Sequence, residues 1–194
     1  MISHVNVQSY YRENWGDPER EAEFQKDEYV IGVLKWRASA STQGVNIYAT
    51  MGASDYSLPS FEVEHRQEFF VGLAPECDDI ASPLARLGIY AQMAGKSLGA
   101  GHVYSAPQGL VEGTEFSGFV LLAPLDGVPA PVNLLDGRHV EFLMAIPAFR
   151  DELEYASEHG VNGLMEAMES SQVPFWNPAR RSVFPPRRGS EPQN

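Results

Sequence analysis

Val45-Asn46-Ile47-Tyr48-Ala49-Thr50-Met51 is the stretch that decides the fold class. Val45, Ile47 and Ala49 alternate with Asn46, Tyr48 and Thr50, the period of a β-strand with two distinct faces. Working outward, Val30 to Ala38 and Phe61 to Leu73 are likewise rich in β-branched and aromatic residues. Ser39-Ala40-Ser41-Thr42-Gln43-Gly44 separates the first two runs, so a hairpin joins them and these strands are antiparallel neighbours.

Upstream, Asp17-Pro18-Glu19-Arg20-Glu21-Ala22-Glu23 has an N-cap residue, a proline at the first helical position and carboxylates in the first turn, which predicts a helix to about Lys26. Downstream, Ile80, Leu84, Leu87 and Ala91 share one helical face, with Gly95 as the stop. His102-Val103-Tyr104 reads as a short strand. Phe116 to Leu122 is too continuously apolar for a half-exposed strand and belongs in the middle of the sheet. His139 to Ile146 is a second buried strand; Pro147 then opens a helix ended by His159-Gly160, and a last helix carries Leu164, Met165 and Met168. Strands and helices interspersed without a regular βαβ rhythm predict an α+β fold: one domain with a mixed, largely antiparallel sheet covered by helices. That domain is assigned to residues 1–176, and the basic, Pro- and Arg-rich stretch 177–194 to a poorly ordered tail.

The 194 residues carry 14 Lys and Arg against 26 Asp and Glu, a net charge of −12. Four of the bases, Arg180, Arg181, Arg187 and Arg188, fall in the tail, so the body is the acidic part. Direct nucleic-acid binding needs a basic surface and is excluded as an expectation. Uncharged stretches are broken by Gly, Pro, Ser and Asn, so no membrane span is expected. Met1 to Arg12 has no basic segment followed by an apolar core, which makes the cytoplasm the expected compartment. The single cysteine, Cys77, can supply neither an internal disulfide nor a Cys-rich zinc site.

Catalytic motifs fail on context. Gly95-Lys96-Ser97 resembles the end of a phosphate-binding loop, but Tyr90 stands where the motif needs glycine, and the triplet follows a helix rather than opening one. Gly52-Ala53-Ser54-Asp55-Tyr56 approaches a nucleophile elbow, yet Leu58-Pro59 follows instead of a helix. No two of His4, His65, His102, His139 and His159 have metal-ligand spacing on a helix. Glu62 and Glu64 share a strand face and read as its wet side. Asp78 and Asp79 beside Cys77 raise a thiol pKa, against a nucleophilic role. No cofactor or metal set is expected. A hydrolase using His102 or His139 with Ser54 and Asp55 stays open as a third reading, conditional on those side chains meeting in a cleft.

The order of segments resembles a known family. Tyr10-Tyr11 with Trp15-Gly16-Asp17-Pro18, then Thr50-Met51-Gly52-Ala53-Ser54-Asp55, then Glu68-Phe69-Phe70-Val71-Gly72-Leu73-Ala74-Pro75, resemble the suppressor-of-fused domain. Gly101-His102-Val103-Tyr104, Phe119-Val120-Leu121-Leu122-Ala123-Pro124, Val140-Glu141-Phe142-Leu143 and Glu152-Leu153-Glu154-Tyr155-Ala156 continue it, so that it spans about residues 5–170. The resemblance implies an α+β fold and a non-catalytic, protein-binding module. Animal members hold a peptide between two domains, and this chain has room for only the first. Single-domain bacterial members look like immunity proteins, which neutralise a toxin encoded beside them, often a nuclease.

A basic nuclease surface and an acidic inhibitor attract each other, with charge supplying rate and orientation and a few aromatic anchors supplying affinity. Loop and strand-edge residues near acidic groups are the candidate partner-binding set: Asp55, Tyr56, Glu76, Asp78, Asp79 and Trp36. The second reading is a scaffold or regulator that captures an extended peptide on an exposed sheet edge.

Overall fold

The computed structural model describes residues 2–56, 65–94, 97–106, 108–125, 129–133 and 139–184. The expected Glu62/Glu64 pair, the Gly95 helix stop and residues 185–194 lie outside them. The chain runs α1 (Ile2–Trp15), β1 (Arg20–Lys26), β2 (Tyr29–Trp36), β3 (Asn46–Met51), a 3-10 turn (Ala53–Asp55), β4 (His65–Leu73), a second 3-10 turn (Asp78–Ile80) and α2 (Ala81–Met93). It continues through β5 (Val103–Ser105), β6 (Phe116–Leu122), β7 (Val132–Asn133), β8 (His139–Phe149) and α3 (Arg150–Ser170). The described strands form one sheet in the order β1-β2-β3-β4-β8-β6-β5, with β7 also paired to β8. Only β4 and β8 are parallel; every other pair is antiparallel. The fold is the expected α+β type.

Each face of the sheet builds its own core. Ile31, Val33, Tyr48, Phe69, Val71 and Leu143 pack under α2 through Ile80, Leu84 and Leu87, the stripe predicted from their spacing. On the opposite face, Leu34, Trp36, Ile47, Phe70, Val120, Phe142 and Ile146 receive Val7, Tyr11 and Trp15 from α1 and Leu153, Ala156 and Leu164 from α3. Tyr11 stands edge-on to Trp36 and Phe142 at 5.6 and 5.5 Å, and Trp15 edge-on to Trp36 at 5.1 Å. Burying side chains of this size contributes about 2 kcal/mol each, so three of them suffice to dock α1.

Two segments depart from expectation. Residues 20–26 are not helix but the strand β1, and the helix lies just before them, in α1. Glu, Ala, Gln and Lys favour a helix locally, but residues 20–26 pair with all of 29–35, and that ladder overrides propensity. β1 is an outermost strand, and charged side chains on such a strand discourage uncontrolled pairing. Pro147 does not open α3 either; β8 runs on to Phe149, and Arg150 starts the helix. Phe149 N donates to Glu152 Oε2 at 3.0 Å, so the cap is a buried glutamate two positions inside the helix. The break expected at Gly160 is present: its φ of 82° and ψ of 155° interrupt the helical geometry of α3.

Residues 177–184, expected to begin a poorly ordered tail, pack against the body. Val173 N bonds Met168 O at 2.8 Å, and Ala74 N bonds Trp176 O at 2.9 Å. Arg180 then enters the interior, where its guanidinium meets both oxygens of Glu152 at 2.6 and 2.7 Å and Pro147 O at 2.8 Å. It also lies over the rings of Phe116 and Phe149, 5.2 and 4.9 Å from their centroids. A bidentate carboxylate and two aromatic faces hold the arginine, which composition alone would place in solvent.

Candidate functional site

Four large apolar side chains among the described residues are strongly exposed: Tyr90, Met93, Leu125 and Trp176. They fall into two pairs, each beside a concavity. Leu125 and Trp176 rim an apolar cleft of about 520 Å³ whose floor is Ile47, Phe70, Gly72 and Met144 and whose far wall is the β2–β3 loop. Tyr90 and Met93 border a groove of about 370 Å³ with Lys26, Arg86 and Tyr104. Paired exposed hydrophobes beside a concavity are the usual form of a recognition surface.

The groove lies at the end of the sheet. Among the described strands, β5 has a partner on one side only, β6. Leu121 N bonds His102 O and Ala106 N bonds Ser117 O, so residues 102 and 106 face β6. The intervening alternation turns the backbone groups of Val103 and Ser105 to the open side. Tyr104 is anchored by an edge-on contact with Tyr90 at 5.0 Å and by stacking on Phe119 at 6.2 Å; burial raises its hydroxyl pKa. Gly118 makes the close approach possible, because a Cβ there would collide with the Tyr104 carbonyl and come within 2.8 Å of Leu153 Cδ1. Lys26 ends β1, so the two outermost strands of the sheet meet at one groove. No motif in the sequence marked this site. The available signal was that Tyr90 and Met93 fall off the buried stripe of α2.

The expected partner-binding residues are scattered. Trp36 belongs to the core, 2% exposed, with its indole donating to Gly16 O at 2.8 Å; a surface contact is not open to it. Glu76 and Asp78 are exposed at the surface, 61% and 47%, and both also meet the buried Lys35 ammonium, at 2.9 and 2.5 Å. Tyr48 and Arg20 add bonds to Asp78 at 2.9 and 3.2 Å. The Lys35 and Tyr48 bonds hold the Asp78 carboxyl below its ordinary range. Burial alone would lower the Lys35 pKa, but its bonds to Asp78 and Glu76 outweigh that and raise it. Burial, reinforced by Asp79, raises the Cys77 thiol, in line with the inert role expected. Asp79 is exposed at the start of α2. Asp55 and Tyr56 lie near the opposite end of β2: the Tyr56 hydroxyl accepts from Val30 N at 2.8 Å, and its ring meets Tyr29 edge-on at 5.0 Å.

The hydrolase constellation does not assemble. Ser54 is buried and gives both its amide and its hydroxyl to Glu68 Oε1, at 3.0 and 2.7 Å. Glu68 also accepts from Gly52 N at 3.0 Å and from Thr50 Oγ1 at 2.6 Å. Burial pushes its carboxyl pKa up to about 7, with these donors opposing the rise. His102 Nδ1 accepts from Gly99 N at 2.9 Å, and His139 Nδ1 lies 2.9 Å from Asn133 Oδ1. His102 stands opposite Leu121, which pairs with Ala145, six residues along β8 from His139. Six strand residues are about 20 Å, so the two histidines do not act together, and the Ser54 hydroxyl is committed to Glu68. Among the described residues, no cluster of three or more His, Cys, Asp or Glu could hold a metal, and no helix is long and apolar enough to cross a membrane.

The described residues thus form a mixed α+β sheet with two recessed apolar surfaces. The profile of the suppressor of fused protein (SUFU) family matches residues 27–181, and the chain belongs to that family. It is 24% identical over 146 residues to the immunity protein YqcF of Bacillus subtilis, covering 73% of this chain and 76% of YqcF. The crystal structure of a SUFU homologue from Neisseria gonorrhoeae superposes with a TM-score of 0.70 at 16% identity, covering 94% of this chain and 97% of that one. SUFU in the Sufu-Fu complex gives 0.69 at 17% identity, covering 93% and 90%. Drosophila Suppressor of Fused gives 0.68 at 16%, covering 93% of this chain and half, 50%, of the Drosophila chain.

Proposed function

We propose that this protein is a non-catalytic binding module: a cytoplasmic immunity protein that neutralises a cognate protein toxin by covering its working surface. The observation that carries the reading is the match to the Bacillus immunity protein over 76% of that protein's length. The net charge of −12 supports a basic target such as a nuclease, for which negative potential speeds encounter and fixes orientation. Asp79 is exposed to such a partner and Tyr56 is half-buried, whereas Trp36 is buried. The test is co-expression with the toxin encoded beside its gene. Growth restored by this protein alone, together with a stoichiometric complex on gel filtration, is the expected result. Cells that die despite abundant folded protein would refute the reading.

A second reading draws on the β5 edge. A strand with no described partner on one edge, flanked by Tyr90 and Met93, suits capture of an extended peptide, whose backbone continues the sheet while its side chains meet the groove. This describes a way of holding a partner and is compatible with the first reading. It predicts that Tyr90→Ala weakens the complex more than Trp176→Ala does.

A further inference from the structure

The cleft rimmed by Leu125 and Trp176 is built as a recess for a small molecule. Its floor is Ile47, Phe70 and Met144, from the neighbouring strands β3, β4 and β8, each paired on both sides within the sheet. The floor therefore presents side chains only. A peptide laid on it would bury amides without partners, whereas a ligand with few polar atoms loses little. Gly72 keeps the recess open, because a Cβ there would stand 2.8 Å from Val45 Cγ2 and 3.5 Å from Ile47 Cδ1, and both side chains line the cleft. One wall is the β2–β3 loop, whose hydroxyls bond within the loop: Ser41 Oγ lies 2.9 Å from Ser39 Oγ, and Thr42 Oγ1 accepts from Ser39 N at 2.7 Å. A second wall is Phe175 and Trp176, their rings edge-on at 5.1 Å. Ala74 N donates to Trp176 O and Asn177 N to Pro174 O, both at 2.9 Å, so the exposed Trp176 stands in a fastened turn and the wall is formed before anything binds.

None of the fourteen described residues that line the cleft is charged, in a chain where 21% of residues are. An ion entering it would give up its hydration to walls that supply no opposite charge. Four of the lining residues are aromatic, and Trp15 and Phe70 bring their rings to 5.7 Å from each other at the inner end. We propose that the cleft binds a neutral, planar aromatic small molecule, whose rings pack against Trp15, Phe70 and Trp176 and whose few polar atoms turn to the β2–β3 loop. Aromatic faces of this kind favour flat partners in stacked or edge-on contact. A closed apolar cavity of about 150 Å³ takes benzene, so a cleft of about 520 Å³ admits a molecule of about two or three rings. A protein surface resting on Leu125 and Trp176 would cover the mouth and leave the recess behind it unfilled. The site is separate from the β5 edge and depends on neither reading of the partner.

The experiment uses N-phenyl-1-naphthylamine as a neutral probe and 1-anilinonaphthalene-8-sulfonate, the same skeleton with an added sulfonate, as its charged counterpart. Each is titrated by fluorescence into the full-length protein. Spectra of protein labelled with methyl-13C methionine then locate the bound probe, since Met144 lies in the floor of the cleft and Met93 at the other groove; Met144→Leu assigns the signal. The expected result is saturable binding of the neutral probe, the largest ring-current shift at Met144, and binding of the sulfonate weaker by about tenfold or more. Leu125→Glu and Trp176→Ala, both at exposed positions, should each weaken the neutral probe about tenfold, whereas Tyr90→Ala should leave it unchanged; circular dichroism checks that the fold is kept. Equal affinity for the two dyes, binding that never saturates, or a shift confined to Met93 would overturn the proposal. So would a concentration-dependent dimer abolished by Leu125→Glu, which would make a second copy the occupant. Failure of the wild type to bind the probe, with loss of a toxin complex in Leu125→Glu, would equally overturn it and assign the cleft to a partner's side chain.

Discussion

Replacing Arg180 by methionine tests the account of the C-terminal segment most severely. The guanidinium satisfies both oxygens of Glu152 at 2.6 and 2.7 Å, and both side chains are almost wholly buried, 1% and 0% exposed. Methionine keeps contact with the rings of Phe116 and Phe149 but leaves a buried carboxylate with only the amides of Phe149 and Val183 as donors. Breaking a buried pair on one side costs about 3–5 kcal/mol, which for a chain of this length lowers the melting temperature by roughly 6–20 °C. The double change Glu152→Leu/Arg180→Met removes the stranded charge and should recover at least half of that loss, although it sacrifices the α3 cap. Urea denaturation of the wild type, the single variant and the double variant gives the coupling directly. A single variant within about 1 kcal/mol of wild type would refute the burial of Arg180, because an exposed ion pair contributes no more than that. A double variant no better than the single one would show that the cap, rather than the pair, carries the energy.

Glu68 should give stability a pH dependence of unusual sign. Its carboxyl sits at about 7 when folded against an ordinary 4.5, so the native state holds a proton that the unfolded chain has already lost. Stability should therefore be full below about pH 4.5 and decline by about 3 kcal/mol as pH rises through 7. Chemical denaturation from pH 5 to 8 should show this slope in the wild type and lose it in Glu68→Gln. Gly118→Ala should push β5 off β6 through the Tyr104 carbonyl, costing about 1–3 kcal/mol and weakening any partner held at that edge; a variant with unchanged stability and binding would remove the edge from consideration. Asp79→Lys, at an exposed position, should leave melting unchanged and slow association with a basic partner in stopped-flow, whereas Asp78→Lys should also destabilise by breaking the Lys35 network.

What could be read from the residues followed physical periodicity closely. The alternation at 45–51, the apolar run 116–122 and the Ile80, Leu84, Leu87 stripe all lie where the pattern puts them. The failures have physical causes. Val7, Tyr11 and Trp15, spaced by four, are the buried face of α1, but the stretch between them is polar enough to hide the pattern. Residues 20–26 are helix-formers recruited into a strand by their ladder to β2. The site was less legible than the fold. Acidic residues beside a loop look like simple surface groups, yet Glu76 and Asp78, though exposed, also hold a lysine 41 and 43 positions away in the chain. Only tertiary structure reveals such a claim on a side chain.

The parallel pairing of β4 with β8 carries a consequence for synthesis. Each of residues 65–70 of β4 meets its β8 partner 74 positions later, His65 with His139 and Phe70 with Met144. At ribosomal speeds that interval lasts about 4–15 s, during which the nascent β1–β4 meander presents an open, hydrophobic margin to the cytosol. Translation of this chain therefore contains a vulnerable interval that ends only when β8 emerges, and conditions that lengthen it should favour aggregation over folding.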